Sequence, residues 1–154
     1  MSPTLTERLK QRRFESPAQE ALLGVMVTNS WVMGELTSAM SSFGVTPAQY
    51  NVLRILRGSH PDALTCSEVG LRLIDRTPDV TRLLGRLEKN GYTTRERASY
   101  DRRVVEVRIT DKGLELLETM DPEVERITND LTDGLTPAEH VQLSRLLDKL
   151  RKPH

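Results

Sequence analysis

The spacing of apolar side chains predicts a mainly helical chain that is interrupted by one β-hairpin. Through most of the sequence, apolar residues recur at intervals of three and four, as on the buried stripe of an α-helix. The exception is Val105 to Ile109, where apolar and charged residues alternate in the pattern of a half-buried strand. We predict a short helix before Pro17, six main helices at about 17–43, 47–57, 66–73, 78–90, 111–133 and 137–151, and strands at about 92–97 and 103–109.

Threonine marks the predicted helix starts. In TPAQ at 46–49, TCSE at 65–68 and TPAE at 136–139, the threonine hydroxyl can accept a hydrogen bond from the backbone three residues later, and the Glu or Gln can reach back. Two further starts are predicted, at Thr77 with Pro78 and Asp79 and at Thr110 with Asp111. Helix ends are predicted at three glycines, Gly44, Gly58 and Gly91.

The order of elements between residues 66 and 109 is that of a winged helix-turn-helix: a short helix, a tight turn, a second helix and a hairpin with a basic tip. Polar and basic side chains of the second helix face outward near its N-terminal end, which major-groove readers use. Singly, these charges also fit a solvated surface in which Asp79 pairs with Arg82. The inward residues are Val80, Leu83, Leu84 and Leu87, and the outward ones are Pro78, Thr81, Arg82, Gly85 and Lys89, flanked by Asp79 and Arg86.

Charge is unevenly distributed along a chain whose formal net charge is zero. Residues 76–112 hold ten Lys or Arg against six Asp or Glu, whereas residues 113–148 hold nine acidic side chains and two basic ones. Such separation favours one surface that faces a polyanion and another that faces away from it. The hairpin tip, with Arg102 and Arg103, is the natural candidate for the first surface.

Composition and length narrow the remaining possibilities. A chain of 154 residues with 37% hydrophobic and 29% charged residues is expected to form one globular domain. The single cysteine, Cys66, excludes an intramolecular disulfide, and the three histidines share no metal-ligand spacing. No apolar run is long enough for a membrane span or a signal peptide, so we expect a cytoplasmic protein without membrane contact. We find no phosphate-binding loop and no nucleophile with a plausible base, and therefore expect neither an enzyme nor a cofactor.

Residues 80–113, VTRLLGRLEKNGYTTRERASYDRRVVEVRITDKG, combine two motifs. The helix carries Val-Thr-Arg-Leu followed by Arg-Leu-Glu and a glycine, and the hairpin carries Asp-x-Arg, an alternating strand and Ile-Thr-x-x-Gly. In this combination the segment resembles the recognition helix and wing of the MarR family of bacterial transcriptional regulators. Three positions depart from the usual family residues, namely Gly70, Gly85 and Thr93.

The resemblance implies a mainly α fold with a small β-hairpin wing, in a single domain spanning 1–154. A winged helix-turn-helix lobe at 47–110, with its recognition helix at 78–90 and its wing at 92–109, would lie between dimerisation helices at 17–43 and 111–152. The implied function is that of a sequence-specific regulator of double-stranded DNA, a ligand-responsive repressor that binds a pseudo-palindromic operator as a homodimer. The alternative is a winged-helix protein-interaction scaffold without sequence-specific DNA binding, which would not need outward arginines.

The resemblance also assigns the DNA contacts. The wing arginine of such proteins enters the minor groove, and Arg103 occupies that position. A narrow minor groove concentrates negative potential and favours a guanidinium. Asp101 would fix the tip and orient Arg103, while Arg102 would meet the phosphate backbone. The predicted DNA-binding residues are Thr77, Pro78, Asp79, Thr81, Arg82, Arg86, Asp101, Arg102 and Arg103.

The terminal helices suggest a partner and a ligand. Their apolar stripes fit either the core of a helical bundle or, as the resemblance implies, a homodimer. The interface residues would be Leu117, Met120, Val124, Ile127, Val141, Leu146, Leu147 and Leu150. A small aromatic acid or phenolic effector is implied by the family, and a thiol in the first turn of a helix, Cys66, is a second sensing option if its pKa is lowered. The effector contacts would be Trp31, Met40, Tyr50 and Arg54, although such residues also fit a simple core.

Overall fold

The computed structural model describes residues 4–11, 13–76 and 79–151 and is mainly helical with a small antiparallel sheet, as predicted. Backbone contacts divide the chain into two compact units, Met1–Met120 and Asp121–His154, which we describe separately. The elements are α1 (Leu5–Leu9), α2 (Pro17–Ser41), α3 (Pro47–Ser59), β1 (Leu64–Thr65), α4 (Cys66–Arg72), α5 (Val80–Lys89), β2 (Thr93–Arg97), β3 (Val105–Ile109), α6 (Asp111–Thr132) and α7 (Pro137–Arg151).

The sheet has three strands in the order β1-β3-β2, with both neighbouring pairs antiparallel. The hairpin of β2 and β3 was predicted, but β1 was not. A strand of two residues is too short to show an alternating pattern, and only its pairing with β3, where Leu64 lies opposite Val107, makes it a strand. This third strand, which directly precedes α4, attaches the middle of the hairpin, at Glu106 and Val107, to the start of that helix.

The predicted capping boxes form. Thr46 with Gln49, Thr65 with Glu68, and Thr136 with Glu139 each exchange hydrogen bonds in both directions. The bonds from the backbone and hydroxyl of Thr65 lower the pKa of Glu68, because they stabilise its charged form. A capping box that we did not predict begins α1, where Thr4 and Glu7 pair in the same way.

Three helix boundaries differ from the prediction by two residues: α2 ends at Ser41 and not at 43, α3 ends at Ser59 and not at 57, and α5 starts later than predicted. Helix α5 begins at Val80 and not at 78, because the side chain of Asp79 accepts a hydrogen bond from the backbone N–H of Arg82 and acts as the N-cap. Thr77 and Pro78 lie outside the described residues. Gly58 lies within α3, whose C-cap is His60, whereas Gly44 and Gly91 have the positive φ angles, 73° and 78°, that favour glycine.

The core of the first unit is built from α3, α5, β3 and the first part of α6. Leu53 and Leu56 of α3 meet this core together with Leu84 and Leu87 of α5, all 0–1% exposed. Because α5 buries these two leucines, its opposite face is left to solvent. The core therefore determines which side of α5 can be presented to a ligand. The other completely buried apolar side chains are Val52, Val69, Val107, Leu117 and Met120.

The second unit contains the end of α6 and all of α7. A ring nitrogen of His140 in α7 lies 3.1 Å from the carbonyl oxygen of Thr132, the last residue of α6. On α6, Arg126 pairs with Glu123 and Asp130. No described residue of α7 is buried, although the helix carries several leucines.

Candidate nucleic-acid interface

The outward face of α5 carries the polar residues that the sequence placed there. Thr81, Arg82, Arg86 and Lys89 are exposed. The carboxylate of Asp79 is engaged by the backbone N–H of Arg82 at 3.2 Å, so it contributes to the helix start and not to an ion pair with the Arg82 guanidinium. Arg82 therefore remains available at the N-terminal end of the helix, which suits contact with base edges or phosphate.

Contacts with α3 and α4 fix the position of α5. The side-chain oxygen of Asn51 in α3 accepts a hydrogen bond of 2.9 Å from the backbone N–H of Ile74, in the turn between α4 and α5. A Cβ at Gly70 in α4 would lie only 3.2 Å from a methyl group of Val80. Glycine at this position thus permits a close approach of the two helices.

The tip of the hairpin is a tight turn closed by Asp101. Its carboxylate oxygen Oδ1 accepts a hydrogen bond of 2.9 Å from the backbone N–H of Arg103, and its carbonyl accepts from Val104 at 3.0 Å. Asp101 thus fixes the tip as expected, but through the backbone of Arg103. The side chains of Arg102 and Arg103 are exposed. Arg97 of β2 also donates to the carbonyl oxygen of Arg102, which ties the tip to the strand.

An open cleft of about 380 Å³ lies between the start of α4, helix α5 and the hairpin. Its lining includes Cys66, Thr81, Arg95 and Arg103. Burial raises the pKa of the Cys66 thiol, and this outweighs the opposing effect of the nearby Arg95. This direction is opposite to the lowered pKa that the second sensing option, through Cys66, would require.

Arg95 and Glu88 were not among the predicted site residues. Nε and Nη2 of Arg95 in β2 lie 2.9 and 2.5 Å from Oε2 of Glu88 in α5. Strand β2 reads Thr-Thr-Arg-Glu-Arg and has no apolar alternation to indicate which side chains turn towards α5. The usable signal was the charge pattern, with a Glu near the end of a helix and an Arg shortly after it.

Of the four predicted effector contacts, Tyr50 and Arg54 of α3 touch one another. Nη1 of Arg54 donates to the Tyr50 hydroxyl at 3.0 Å, and the guanidinium lies 5.9 Å from the centre of the ring. Met40 of α2 is buried, as is Tyr50, whereas Trp31 is 37% exposed. None of the four lines the cleft beside Cys66.

The predicted dimer residues divide into two groups. Leu117, Met120 and Ile127 of α6 are 0–6% exposed in the single chain. These three side chains are covered by their own chain and leave little surface for a second copy. Val124 and Leu147 are half-buried, whereas Val141, Leu146 and Leu150 of α7 are 52–58% exposed.

In the described part of the chain, no group of three or more His, Cys, Asp or Glu side chains is arranged to hold a metal ion. Nor is any helix within residues 4–11, 13–76 and 79–151 long and apolar enough to span a membrane.

Comparison with known proteins identifies this arrangement. A family model described as MarR family matches residues 43–104. The HTH-type transcriptional regulator YkoM of Bacillus subtilis is 36% identical over 107 residues, which cover 69% of this chain and 68% of that protein. The chain belongs to the MarR family. A MarR transcription factor from Planctomyces limnophilus has the same fold, with 35% identity, coverage of 88% of this chain and 98% of that chain, and a TM-score of 0.70.

Other MarR relatives have named activities. The transcriptional repressor MprA of Escherichia coli is 26% identical over 90% of this chain and 80% of its own length. A cysteine-to-serine variant of MarR from E. coli was solved with operator DNA. It is 28% identical to this chain, and the match covers 83% of this chain and 91% of that one with a TM-score of 0.75. BpsR of Bordetella bronchiseptica, whose DNA binding is regulated by 6-hydroxynicotinic acid, shares 28% identity over 86% of this chain and 99% of that chain, with a TM-score of 0.76. MarR proteins are DNA-binding transcriptional regulators and not enzymes, and this chain is one of them.

Proposed function

We propose that this MarR-family protein is a ligand-responsive repressor that binds a pseudo-palindromic operator as a homodimer. The observation that carries the DNA-binding part is the exposed polar face of α5 beside the exposed arginines of the hairpin tip. The E. coli relative solved with operator DNA supports this reading of the surface. A repressor of transcription has to reach the chromosome, so we propose that this protein acts in the cytoplasm.

In the proposed complex, α5 lies in the major groove and the hairpin tip follows the adjacent minor groove. Arg82 and Arg86 present planar guanidinium groups that can bind guanine through two hydrogen bonds, and Thr81 can reach either a base or a phosphate. Arg103 enters the minor groove, and Arg102 contacts the phosphate backbone. Asp79 contributes by ordering the first turn of α5, so its role in binding is indirect.

The proposed homodimer rests on apolar residues that the single chain leaves uncovered. Apolar side chains that are 45–59% exposed lie on α7 (Val141, Leu143, Leu146 and Leu150) and on α2 (Leu22 and Met26). Such side chains on neighbouring helical turns are typical of surfaces that pack against another helix. A two-fold dimer would place two copies of α5 about 34 Å apart, which matches successive major grooves.

The proposed effector is a small aromatic acid, the chemical class of the ligand named for the Bordetella relative. Tyr50 and Arg54 offer a phenol and a guanidinium within one turn of α3, and a carboxylate ligand could take Arg54 from its present partner. A ligand changes DNA affinity only by binding the two conformations unequally, and a tenfold loss requires about 1.4 kcal/mol of coupling.

Selection of bound duplexes from a random pool tests the DNA-binding proposal. We expect recovery of a sequence with two related half-sites, because each subunit reads one half. Binding to that duplex should exceed binding to random DNA of the same length and weaken as salt rises. The protein-interaction scaffold would be favoured by two results together. No preferred sequence would be recovered, and the protein would be retained on heparin no more strongly than an acidic protein is.

Fluorescence of Trp31, the single tryptophan, tests the effector proposal. Titration with 6-hydroxynicotinic acid or another aromatic carboxylate should release the recovered duplex and change the tryptophan emission, with loss of both effects in Arg54→Met. Release of DNA without a change in emission would place the ligand elsewhere. If no such compound changes DNA binding, the ligand-responsive part of the proposal fails.

A further inference from the structure

The hairpin of β2 and β3, here called the wing, leaves α5 through a very short connection. Between Lys89, the last residue of α5, and Thr93, the first of β2, lie only three residues. This connection is held at the helix end by hydrogen bonds from Gly91 N–H to the carbonyl of Glu88 (2.9 Å) and from Tyr92 N–H to that of Leu87 (3.0 Å). The base of the wing is therefore anchored to α5, while its tip at Asp101 to Arg103 lies at the far end.

Strand β1 holds the wing through β3, at Glu106 and Val107, which lie opposite Glu96 and Arg95, whereas β2 is the outer strand of the sheet. From Arg95 to Asp101 the wing extends six residues farther, roughly 20 Å at about 3.3 Å per residue. A rotation of about 10° around the β3 attachment would then move the tip by roughly 3 Å, which is as long as a hydrogen bond itself. Because Arg82 on α5 and Arg103 on the tip are proposed to enter neighbouring grooves, the angle between wing and helix has to be held closely.

The pair of Glu88 and Arg95 attaches the outer strand β2 to α5, at the level where β3 on the other side is attached to β1. Two nitrogens on one edge of the Arg95 guanidinium converge on Oε2 of Glu88, at 2.9 and 2.5 Å. The side chains are 28% and 38% exposed, so water competes with the pair less than at an open surface. Forked contacts of this kind restrict orientation as well as distance.

Gly85 keeps the space beside this pair open. It lies three residues before Glu88 on α5, and a Cβ at this position would be 4.0 Å from Nη2 of Arg95. A methyl group would fit in ordinary contact, but a longer polar or basic side chain would reach the same carboxylate, since residues three apart are neighbours on a helix. Glycine here therefore leaves Glu88 to Arg95.

We propose that Glu88 and Arg95 are positioning residues which hold the wing at the angle to α5 that DNA reading requires. The inference rests on the proposed reading surface of Arg82 and Arg103. The competing interpretation is that Arg95, which lines the cleft with Thr81 and Arg103, contacts DNA itself. Against this, the described hydrogen bonds of the Arg95 guanidinium are directed to Glu88.

Exchange of the two charges separates these interpretations. We would compare Glu88→Arg, Arg95→Glu and the double variant Glu88→Arg/Arg95→Glu on the duplex recovered from the random pool. If the pair positions the wing, each single variant loses affinity by about tenfold or more, a mid-range coupling for residues in contact, and the double variant regains most of it. If Arg95 contacts DNA, the double variant binds as weakly as Arg95→Glu, and the proposal is overturned.

Glu88→Gln is a milder variant than the charge reversals, because it keeps the size of the side chain and removes only its charge. All variants are compared at a temperature where circular dichroism and melting curves verify a folded protein. Loss of specific affinity with a reduced salt dependence, together with faster amide exchange at residues 101–104, supports the inference, since a loosened tip brings Arg103 to the DNA less often. Wild-type affinity and salt dependence in Glu88→Gln would overturn it.

The same variants distinguish failure of this inference from failure of the proposed reading surface. A double-variant cycle on unfolding free energy in the absence of DNA measures the coupling of Glu88 with Arg95 directly. If Arg82→Ala and Arg103→Ala bind the duplex normally, the reading surface is wrong whatever that coupling is. If Arg82→Ala and Arg103→Ala bind the duplex poorly but the double variant Glu88→Arg/Arg95→Glu does not regain affinity, the proposed reading surface is supported and the positioning role is overturned.

Discussion

Helices α5 and α7 differ in whether their apolar side chains are buried. On α5, Leu84 and Leu87 are 0% exposed, and the face left to solvent is polar and basic. On α7, Leu146 and Leu150 are 56% and 58% exposed, and no described residue of the helix is buried. The apolar face of α5 is covered by its own chain, and the helix presents polar and basic side chains to solvent. The apolar side chains of α7 stay exposed, and these are the residues on which the proposed homodimer rests.

The largest expected effect comes from placing a charge on the apolar side of α7. Leu146→Asp should separate the proposed dimer, because an unpaired carboxylate cannot be buried between helices without a large cost. Loss of the second, tethered half-site contact should lower operator affinity by about 10² to 10⁴. Light scattering and gel shifts would measure the two effects.

Ser144→Asp is the matched control, since it adds the same charge to an exposed polar position of α7. It should leave both assembly and DNA binding nearly unchanged. A dimer that persists in Leu146→Asp at micromolar concentration would remove the basis for assigning α7 to the interface.

Truncation of one leucine on each helix sharpens the same comparison. Leu84→Ala should lower the free energy of unfolding by about 2–5 kcal/mol, because it leaves a cavity beneath α5. Leu146→Ala should act only through association, so its effect on the melting temperature should depend on protein concentration. Melting curves at several concentrations measure both. A concentration-dependent effect in Leu84→Ala, or a concentration-independent one in Leu146→Ala, would reverse the roles given to the two helices.

The polar face of α5 and the wing tip should contribute differently to DNA binding. Arg82→Ala should lose about 1–3 kcal/mol per half-site and relax the base preference, because it removes hydrogen bonds to a base edge. Arg103→Ala should weaken binding to all sequences and reduce the salt slope by roughly one to two for a dimer. Binding isotherms over a range of salt concentrations measure both.

Arg145→Ala serves as the control for these two variants, since it removes an exposed arginine outside the proposed surface. It should leave base preference and salt dependence as they are. Unchanged affinity in Arg82→Ala and Arg103→Ala at low and at high salt would show that the wrong face has been chosen.

The smallest effect concerns a departure from the family in the strand beside α5. Thr93 is 2% exposed, and its hydroxyl has no hydrogen-bond partner among the described residues. Thr93→Val keeps the shape and removes this unpaired group, so it should raise the free energy of unfolding by about 1 kcal/mol. Urea denaturation measures the change, with Thr94→Val, an exposed neighbour in β2, as the control. Equal effects from the two substitutions would mean that the gain comes from strand propensity alone.

Local rules account for the parts of this fold that the sequence predicted well. Each capping box involves residues three apart, and each helical stripe repeats within a few turns, so both can be read without knowing the rest of the chain. The exposed face of α5 followed from four inward positions of one helix, and the closure of the wing tip by Asp101 followed from a three-residue motif. Family membership followed from the same short segment, because its motifs are dense there.

The features decided by tertiary structure all depend on atoms far apart in the chain or on competition between neighbours. Strand β1 exists because Leu64 meets Val107, and Leu117 and Met120 are buried because the first unit closes over them. Burial raises the pKa of Cys66 where a place in the first turn of a helix would favour a lowered one, and Asp79 takes the N-cap at the predicted start of α5. The sequence alone determined which residues are apolar, charged or able to cap; which of them are covered, and by what, was decided only when non-local contacts formed, because burial is a property of the packed chain.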